Sequence, residues 1–287
     1  MLNHSFMMKK TVAVLITAYN RKSITLNGLR SLWPAMEQCQ DTYEFDVYLA
    51  DDNSTDGTAG AVSEVFPQIK IIKGDGNLYW GGGMNLAWRE ALQKREYDYY
   101  LWMNDDAKLY PDSIAHLLSV EKDAGEPVLV CGVFEDSSGH ISYGACDRSG
   151  KLLEPRSLEH PYYMNGNLVL VPKQIYESIG IIDSVFHHRG GDYDYGLRAQ
   201  KAGFKLFISD TIVGITPRHD TDKTPYYSAK HTLSKRLKLL YSKKYSIISS
   251  FIYNKRHVGM YFAIHQFLKA HALVLFPVIR KSKHSLS

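Results

Sequence analysis

"YYLWMNDD", residues 99–106, fixes how the rest of the chain is read. The run Tyr99–Met103 has the composition of a buried strand. It stops abruptly at Asn104, Asp105 and Asp106. Two adjacent carboxylates at a strand end repel each other and both stay ionised only if something neutralises them. Working outward, three more runs have the same character: "TVAVLIT" (11–17), "FDVYLA" (45–50, leading to Asp51 and Asp52) and "IKIIK" (69–73). Helical patterns lie between them. One starts near Ser23 and ends or bends at Pro34. One follows "NSTDGT" (53–58), where Ser54, Thr55 and Asp56 supply caps. One runs from Met84 to Arg95. Strands that alternate with helices predict an α/β fold around a mostly parallel, doubly wound sheet, and such sheets take ligands beyond the carboxyl ends of their strands. Asn20, Asp52, Asp105 and Asp106 all fall there.

The second half is more mixed. "PVLVCGVF" (127–134), "GNLVLVP" (166–172), "FKLFIS" (204–209) and "TIVGIT" (211–216) read as strands, and "DYDYGLRAQKAG" (192–203) reads as a helix closed by Gly203. After Ser228, apolar and basic residues mix at helical spacing. With 287 residues, 45% of them hydrophobic, the chain can bury one large domain, alone or with an appendage. Three scattered cysteines, Cys39, Cys131 and Cys146, predict neither a disulfide framework nor a cysteine metal site, and suit a reducing, cytoplasmic compartment. Met7-Met8-Lys9-Lys10 leads straight into the first strand, so neither a signal peptide nor a membrane span is expected.

Charge is divided unevenly. Residues 223–287 hold thirteen of the 34 Lys and Arg and none of the 30 Asp and Glu. The body therefore keeps twenty-one basic against thirty acidic residues, which excludes a nucleic-acid binder by charge. The basic tail suits an anionic membrane surface, with its apolar residues inserted shallowly. A helical bundle or dimer contact with a solvated basic face is the other reading.

Four segments carry candidate chemistry. In "TAYNR" (17–21) and "LADDNSTDGT" (49–58), polar and acidic groups at successive strand ends suit a base or ribose, although each alone is also an ordinary capped turn. In "GDGNLYWGGGMN" (74–85), three consecutive glycines before a helix would let backbone approach a phosphate or sugar, and Tyr79 and Trp80 offer flat surfaces. The spacing is neither that of a dinucleotide fingerprint nor that of a P-loop. For Asp105 and Asp106, a hard divalent cation shared with substrate phosphates resolves the repulsion. An exposed turn, with Asp112 capping the next helix, is the alternative.

Taken in this order and spacing, "TAYNR", "DDNSTDGT", "GNLYWGGGMN" and "NDD" resemble the family 2 glycosyltransferases of GT-A fold, and are similar to bacterial rhamnosyl- and galactofuranosyltransferases of surface-polysaccharide assembly. The resemblance covers roughly residues 10–220. It implies a Rossmann-like GT-A domain over 10–222, with a nucleotide-sugar half (10–106) and an acceptor and catalytic half (107–222), followed by a basic helical extension (223–287). It implies that Thr17, Ala18, Tyr19, Asn20 and Arg21 line the nucleotide pocket, that Asp52 holds a pyrimidine base, and that Asn104 and Asp105 lie near the ribose or sugar. Asn77, Trp80, Gly82, Gly83 and Asn85 would flank the donor. Asp106 and His219 would bind Mg²⁺ or Mn²⁺. "RGGDYDYGLR" (189–198) resembles the family's second acidic segment, which makes Asp192 the general base, with Asp194 as its backup and an acceptor-side group. Tyr163 and Asn165, in "YYMNGNLVLVP" (162–172), would meet the acceptor. Two departures stand out: Asn104 where the family has the first carboxylate of its Asp-X-Asp, and Gly191 where an acid often precedes the base.

The expected reaction is a single, inverting displacement. A saccharide hydroxyl attacks the anomeric carbon of a uridine or thymidine diphosphate sugar, and the acceptor is a lipid-linked saccharide. A sugar nucleotidyltransferase is a second reading, though it would carry a glycine-rich phosphate loop after the first strand, and "TAYNRKS" has none. A non-catalytic nucleotide-sugar-binding protein is a third.

Overall fold

The structure, a computed structural model, describes residues 8–157, 159–218 and 225–277. The first half runs β1 (Lys10–Ala18), α1 (Lys22–Glu37), β2 (Tyr43–Asp51), α2 (Thr58–Val65), β3 (Lys70–Lys73), α3 (Tyr79–Lys94) and β4 (Tyr99–Asn104). The second continues with β5 (Lys108–Leu109), α4 (Ser113–Asp123), β6 (Val128–Glu135), β7 (Ile141–Tyr143), β8 (Ala145–Cys146), β9 (Tyr163–Met164), β10 (Leu168–Pro172), α5 (Lys173–Ile179), α6 (Gly191–Lys201) and β11 (Lys205–Ile215). A 3₁₀ turn (Pro225–Tyr227) leads to α7 (Leu233–Leu240), α8 (Ile247–His257) and α9 (Met260–Leu275).

Among the described residues a nine-stranded sheet has the order β3-β2-β1-β4-β10-β6-β11-β5, with β7 paired to β6 off that path. β1, β2, β3 and β4 are mutually parallel, and β10 enters antiparallel between β4 and β6. The apolar runs have this character because the sheet is covered on both faces. Along β1, Val12, Val14 and Ile16 join one core with Leu29, Leu32, Val62 and Leu117 from α1, α2 and α4. Ala13 and Leu15 point the other way, into a core with Trp88, Ile175 and Tyr195 from α3, α5 and α6. Each such side chain, fully buried, contributes roughly 1.5–3 kcal/mol of transfer free energy.

The structure departs from the sequence reading in four local ways. α1 passes through Pro34, which cannot donate to the carbonyl of Arg30, and ends about one turn later. "FKLFIS" and "TIVGIT" are one strand, β11, with register irregularities at 208–214. Ser209 explains why the strand survives them: its Oγ accepts from Val133 N at 2.9 Å and donates to Thr211 O. Third, α3 begins at Tyr79, so the glycine triplet is inside its first turns and not in a loop before it. Fourth, Asp112 is at the N-cap position of α4 but makes no side-chain cap bond. All three cysteines are buried and unpaired.

The basic tail is a docked part of the structure. Leu240, Ile247, Ala270 and Val274 form a small core of their own between α7, α8 and α9. α8 lies beside α6 through polar contacts described below. Among the described residues, no helix is long and apolar enough to cross a membrane.

Candidate functional site: two acidic segments joined through Trp80

The register of β1 against its neighbours brings the three strand ends together: Ala18 pairs with Asp51 and Thr17 with Asn104. The loops that follow are tied to one another. Asn20 N donates to Ser54 Oγ at 2.9 Å, Asn20 Oδ1 accepts from Thr55 N at 2.8 Å, and Asp56 accepts from Lys22 N. Asn20, Asn53 and Tyr79 all have φ between 50° and 59°. Left-handed backbone at non-glycine residues, and above all at a bulky tyrosine, persists only where the surroundings enforce it. Tyr19 and Arg21 are the exposed side chains of this rim, whereas Thr17 and Ala18 are buried beneath it.

Asp52 holds the next loop. Its Oδ1 accepts from Gly76 N, and its Oδ2 accepts from Leu78 N and Tyr79 N at 2.8 and 3.1 Å. The carboxylate thereby caps the start of α3, and of about four lone-pair sites it leaves one open for a donor such as a base N–H. The glycine triplet, expected as an open loop beside the donor, has a packing role in this structure. Gly81, Gly82 and Gly83 are buried because α3 packs closely: a Cβ at Gly81 would lie 1.9 Å from Phe186 O, and one at Gly83 would lie 2.0 Å from Thr17 Oγ1. Asn85 likewise turns away from the strand ends, and its amide donates to Ile182 O at 2.6 Å. Asn77 is exposed, and its carbonyl accepts from Lys243 of the tail.

At the end of β4, the Arg21 guanidinium bridges both carboxylates, 3.3 Å from Asp105 Oδ1 and 3.0 Å from Asp106 Oδ2. Asp105 also accepts from Thr25 Oγ1 at 3.0 Å. Burial pushes the Asp105 carboxyl up to about 6, Arg21 opposes that rise, and Asp106 adds to it. Among the described residues no cluster of three or more His, Cys, Asp or Glu is placed to hold a metal, and His219 lies outside those residues. The pair still fits a hard divalent cation. Two adjacent carboxylates already share one positive group, and Mg²⁺ commonly takes one or two carboxylates together with substrate phosphate oxygens. Arg21 is the stand-in cation.

Asn104 accounts for its own departure. Its Oδ1 accepts from Trp80 Nε1 at 2.7 Å and its Nδ2 donates to Asn167 Oδ1 at 2.9 Å, so this position needs both a donor and an acceptor. Trp80 then fills the space over Gly166 and Gly191. A Cβ at Gly166 would lie 2.3 Å from the indole, and one at Gly191 would lie 3.3 Å from Phe186 Cβ and 3.6 Å from Trp80. The acid missing at Gly191 is thus replaced by close apolar packing. Sequence reasoning took Trp80 only as a flat ligand surface, but the indole is the link between the two acidic segments.

Asp192 lies in the first turn of α6. Its Oδ2 accepts from Gly166 N at 3.1 Å and its Oδ1 from Tyr193 N at 2.9 Å. Burial raises its carboxyl to about 6, against the lowering effect of those two backbone bonds. Beside it, Tyr163 stacks on Tyr193 at 5.0 Å and 20°, with Tyr162 edge-on to Tyr163 at 4.7 Å. Asn165 N donates to Gly144 O at 3.1 Å beside this pair. Asp194 is corrected. It is fully buried, and its oxygens are taken by Arg198, Arg256 and His257, so it offers nothing to an acceptor.

A curled, mostly parallel central sheet flanked by helices is the layout shared with GT-A glycosyltransferases. The chain belongs to glycosyl transferase family 2, which residues 13–174 match. It is similar to galactofuranosyltransferase GlfT2 of Mycolicibacterium smegmatis, 26% identical over 231 residues, which are 68% of this chain and 35% of that protein. To GlfT2 of Mycobacterium tuberculosis it is 29% identical over 157 residues, 45% of this chain and 24% of that one. The match thus spans about a third or less of these curated relatives. Among solved structures, the mannosyltransferase PcManGT of Pyrobaculum calidifontis, in complex with GDP-Man and Mn²⁺, superposes with a TM-score of 0.55 at 16% identity, covering 97% of this chain and 77% of that one. Staphylococcus aureus TarS 1-349 gives 0.57 at 16%, covering 92% and 81%. At such identities the likeness speaks for the fold.

Proposed function

We propose that this family 2 glycosyltransferase is inverting and moves a sugar from a uridine or thymidine diphosphate donor to a hydroxyl of a saccharide acceptor in bacterial surface-polysaccharide assembly. Asp192 carries the reading. It is a half-buried carboxylate with a raised pKa, linked through Gly166, Trp80 and Asn104 to the acidic end of β4. The curated relatives, both galactofuranosyltransferases, favour galactofuranose as the donor sugar. Rhamnose is the other candidate, from the motif resemblance.

The donor's nucleotide lies over the β1 and β2 loops, against Tyr19, Asn20 and the loop that Asp52 holds. Its diphosphate faces Asp106 and Arg21. The acceptor sugar stacks on the Tyr163–Tyr193 pair, as sugar rings do on aromatic faces. Its hydroxyl oxygen forms a bond to the anomeric carbon as the bond to the diphosphate oxygen breaks. Asp192 takes the hydroxyl proton, and attack from the face opposite the leaving group inverts the anomeric centre. A divalent cation held by Asp106, with Asp105 beside it and His219 completing the set, would supply charge stabilisation to the departing nucleoside diphosphate. The apolar and basic tail would bring the enzyme to a lipid-linked acceptor at the inner face of the cytoplasmic membrane.

A thermal-shift screen of UDP-galactofuranose, dTDP-rhamnose and other nucleotide-sugars, with and without Mn²⁺ or Mg²⁺, tests donor binding, because a ligand of the folded state raises its apparent stability. Transfer or slow hydrolysis of the stabilising donor supports the reading. Pyrophosphate release from a nucleoside triphosphate would assign a nucleotidyltransferase instead. Stabilisation without turnover on any saccharide acceptor would leave a binding protein.

A further inference from the structure

The tail is fastened to the helix that carries Asp192. Asp194, two residues on, is fully buried, and so is nearly all of His257. Asp194 Oδ2 accepts from Arg198 Nε of its own helix at 2.8 Å. Its Oδ1 accepts from Arg256 NH1 at 2.7 Å and is 2.8 Å from His257 Nε2, both from α8. Arg256 NH2 reaches on to Asp183 Oδ2 at 2.8 Å, and Ser249 Oγ donates to Val185 O at 2.6 Å. Arg198 also donates to the carbonyls of Ile179 and Ile181. The segment 179–190, which delivers the chain into α6, is therefore held from both sides. Among the described residues the tail's own apolar core shares no residue with the two cores of the body, and α8 is fastened here by these polar bonds together with Tyr253 and Arg256 against the Phe186 ring.

These contacts do not resemble a chance surface ion pair. An exposed pair contributes little, whereas a buried carboxylate stripped of a partner is strongly destabilised. Burial would raise the Asp194 carboxyl, and bonds from His257, Arg198 and Arg256 outweigh it and hold the group below the usual carboxylate range. α8 also borders the Asp192 pocket. The charge of Asp192 acts on Cys131 of β6, Cys146 of β8, Tyr193 of α6 and Tyr253 of α8, and Arg218 acts on Cys146 with the opposite sign.

We infer that Arg256 and His257 are positioning residues for glycosyl transfer: by gripping Asp194 from the tail they fix the first turn of α6, and so hold Asp192 against Gly166. The inference rests on the reading of Asp192 as the general base. It makes the C-terminal segment part of the catalytic unit, whatever else its outer surface does.

The test follows the Asp192 carboxyl by ¹³C NMR titration of the full-length protein, with Asp192→Asn to assign the signal. The wild type should titrate near 6. Arg256→Gln and His257→Gln should each loosen the turn, admit water and lower that titration toward the ordinary carboxylate range, and Arg256→Lys should restore it. Leu240→Ala, in the tail's own core, controls for general destabilisation and should lower Tm while leaving the titration in place. With UDP-galactofuranose as donor, kcat should fall on the order of 10²-fold in Arg256→Gln with KM little changed, the size expected for a small misplacement. An Asp192 titration identical in wild type, Arg256→Gln and His257→Gln would overturn the inference. Full turnover by Asp192→Asn would instead overturn the reading of the base, and the NMR result would then stand as a structural clasp only.

Discussion

Asp192 holds its proton to about pH 6 because burial outweighs two backbone hydrogen bonds. As the proposed base it must be deprotonated, so kcat/KM should fall about tenfold per unit as pH drops below about 6 and level off above. Asp192→Asn should lose about 10²–10⁴-fold in turnover while a calorimetric titration still finds donor binding. The sign on stability is opposite. A carboxyl whose folded pKa lies above its unfolded value contributes stability that is lost as pH rises through the folded pKa. At pH 8 the Asn variant should therefore be at least as stable as wild type, and a lower Tm there would contradict the raised carboxyl. Arg21 makes the complementary case at the other acidic segment. Removing its guanidinium in Arg21→Gln leaves Asp105 and Asp106 without their bridging cation. The Tm without added metal should fall, and the Tm gain on adding Mn²⁺ should exceed that of wild type. An equal gain in the two proteins would mean that Arg21 does not occupy the cation's place.

The helix α3 shows where the sequence is legible and where it is not. Apolar runs such as "TVAVLIT" announce strands because a doubly covered sheet demands continuous burial, and strand ends announce a ligand edge by topology alone. A glycine triplet announces only missing Cβ atoms. What occupies the gaps is Thr17 from β1 and Phe186 from the loop before α6, which no local pattern connects to residues 81–83. Asp194 fails for the same reason: its partners Arg256 and His257 lie 62 and 63 residues away. Asp192 is proposed from a segment that keeps a recognisable spacing, whereas the departure at Asn104 is explained only by Trp80 and Asn167. Gly83→Ala provides the test at this scale. A methyl 2.0 Å from Thr17 Oγ1 forces α3 off β1. The variant should be destabilised by about 1–3 kcal/mol in urea unfolding, as overpacked cores are. Unchanged stability would return the triplet to the role of an open ligand loop.

Across the whole molecule the charges and the exposed apolar groups share one end of the chain. On α9, Tyr261 is 86% exposed, Leu268 61% and, just beyond the helix, Phe276 78%, with Ile264 and Leu275 also open to solvent. Tyr261, Ile264, Leu268 and Leu275 recur at helical spacing, which gathers them on one stripe. Thirteen Lys and Arg and no acids accompany them after residue 222. Two copies pairing through this stripe would bring like charges together, whereas an anionic bilayer gains roughly 1 kcal/mol per basic residue near its surface. Deleting the tail is a poor experiment, because α8 grips α6 and the catalytic half would suffer with it. The paired substitution Leu268→Ser with Phe276→Ser leaves that grip intact. Wild type should co-sediment with vesicles containing phosphatidylserine, weakly with phosphatidylcholine alone, and less in high salt. The double variant should stay in the supernatant while keeping its turnover on a soluble acceptor. If instead both proteins ignore vesicles, and light scattering shows wild type as a dimer and the variant as a monomer, the stripe is a self-association surface and the bilayer plays no part in how the acceptor is reached.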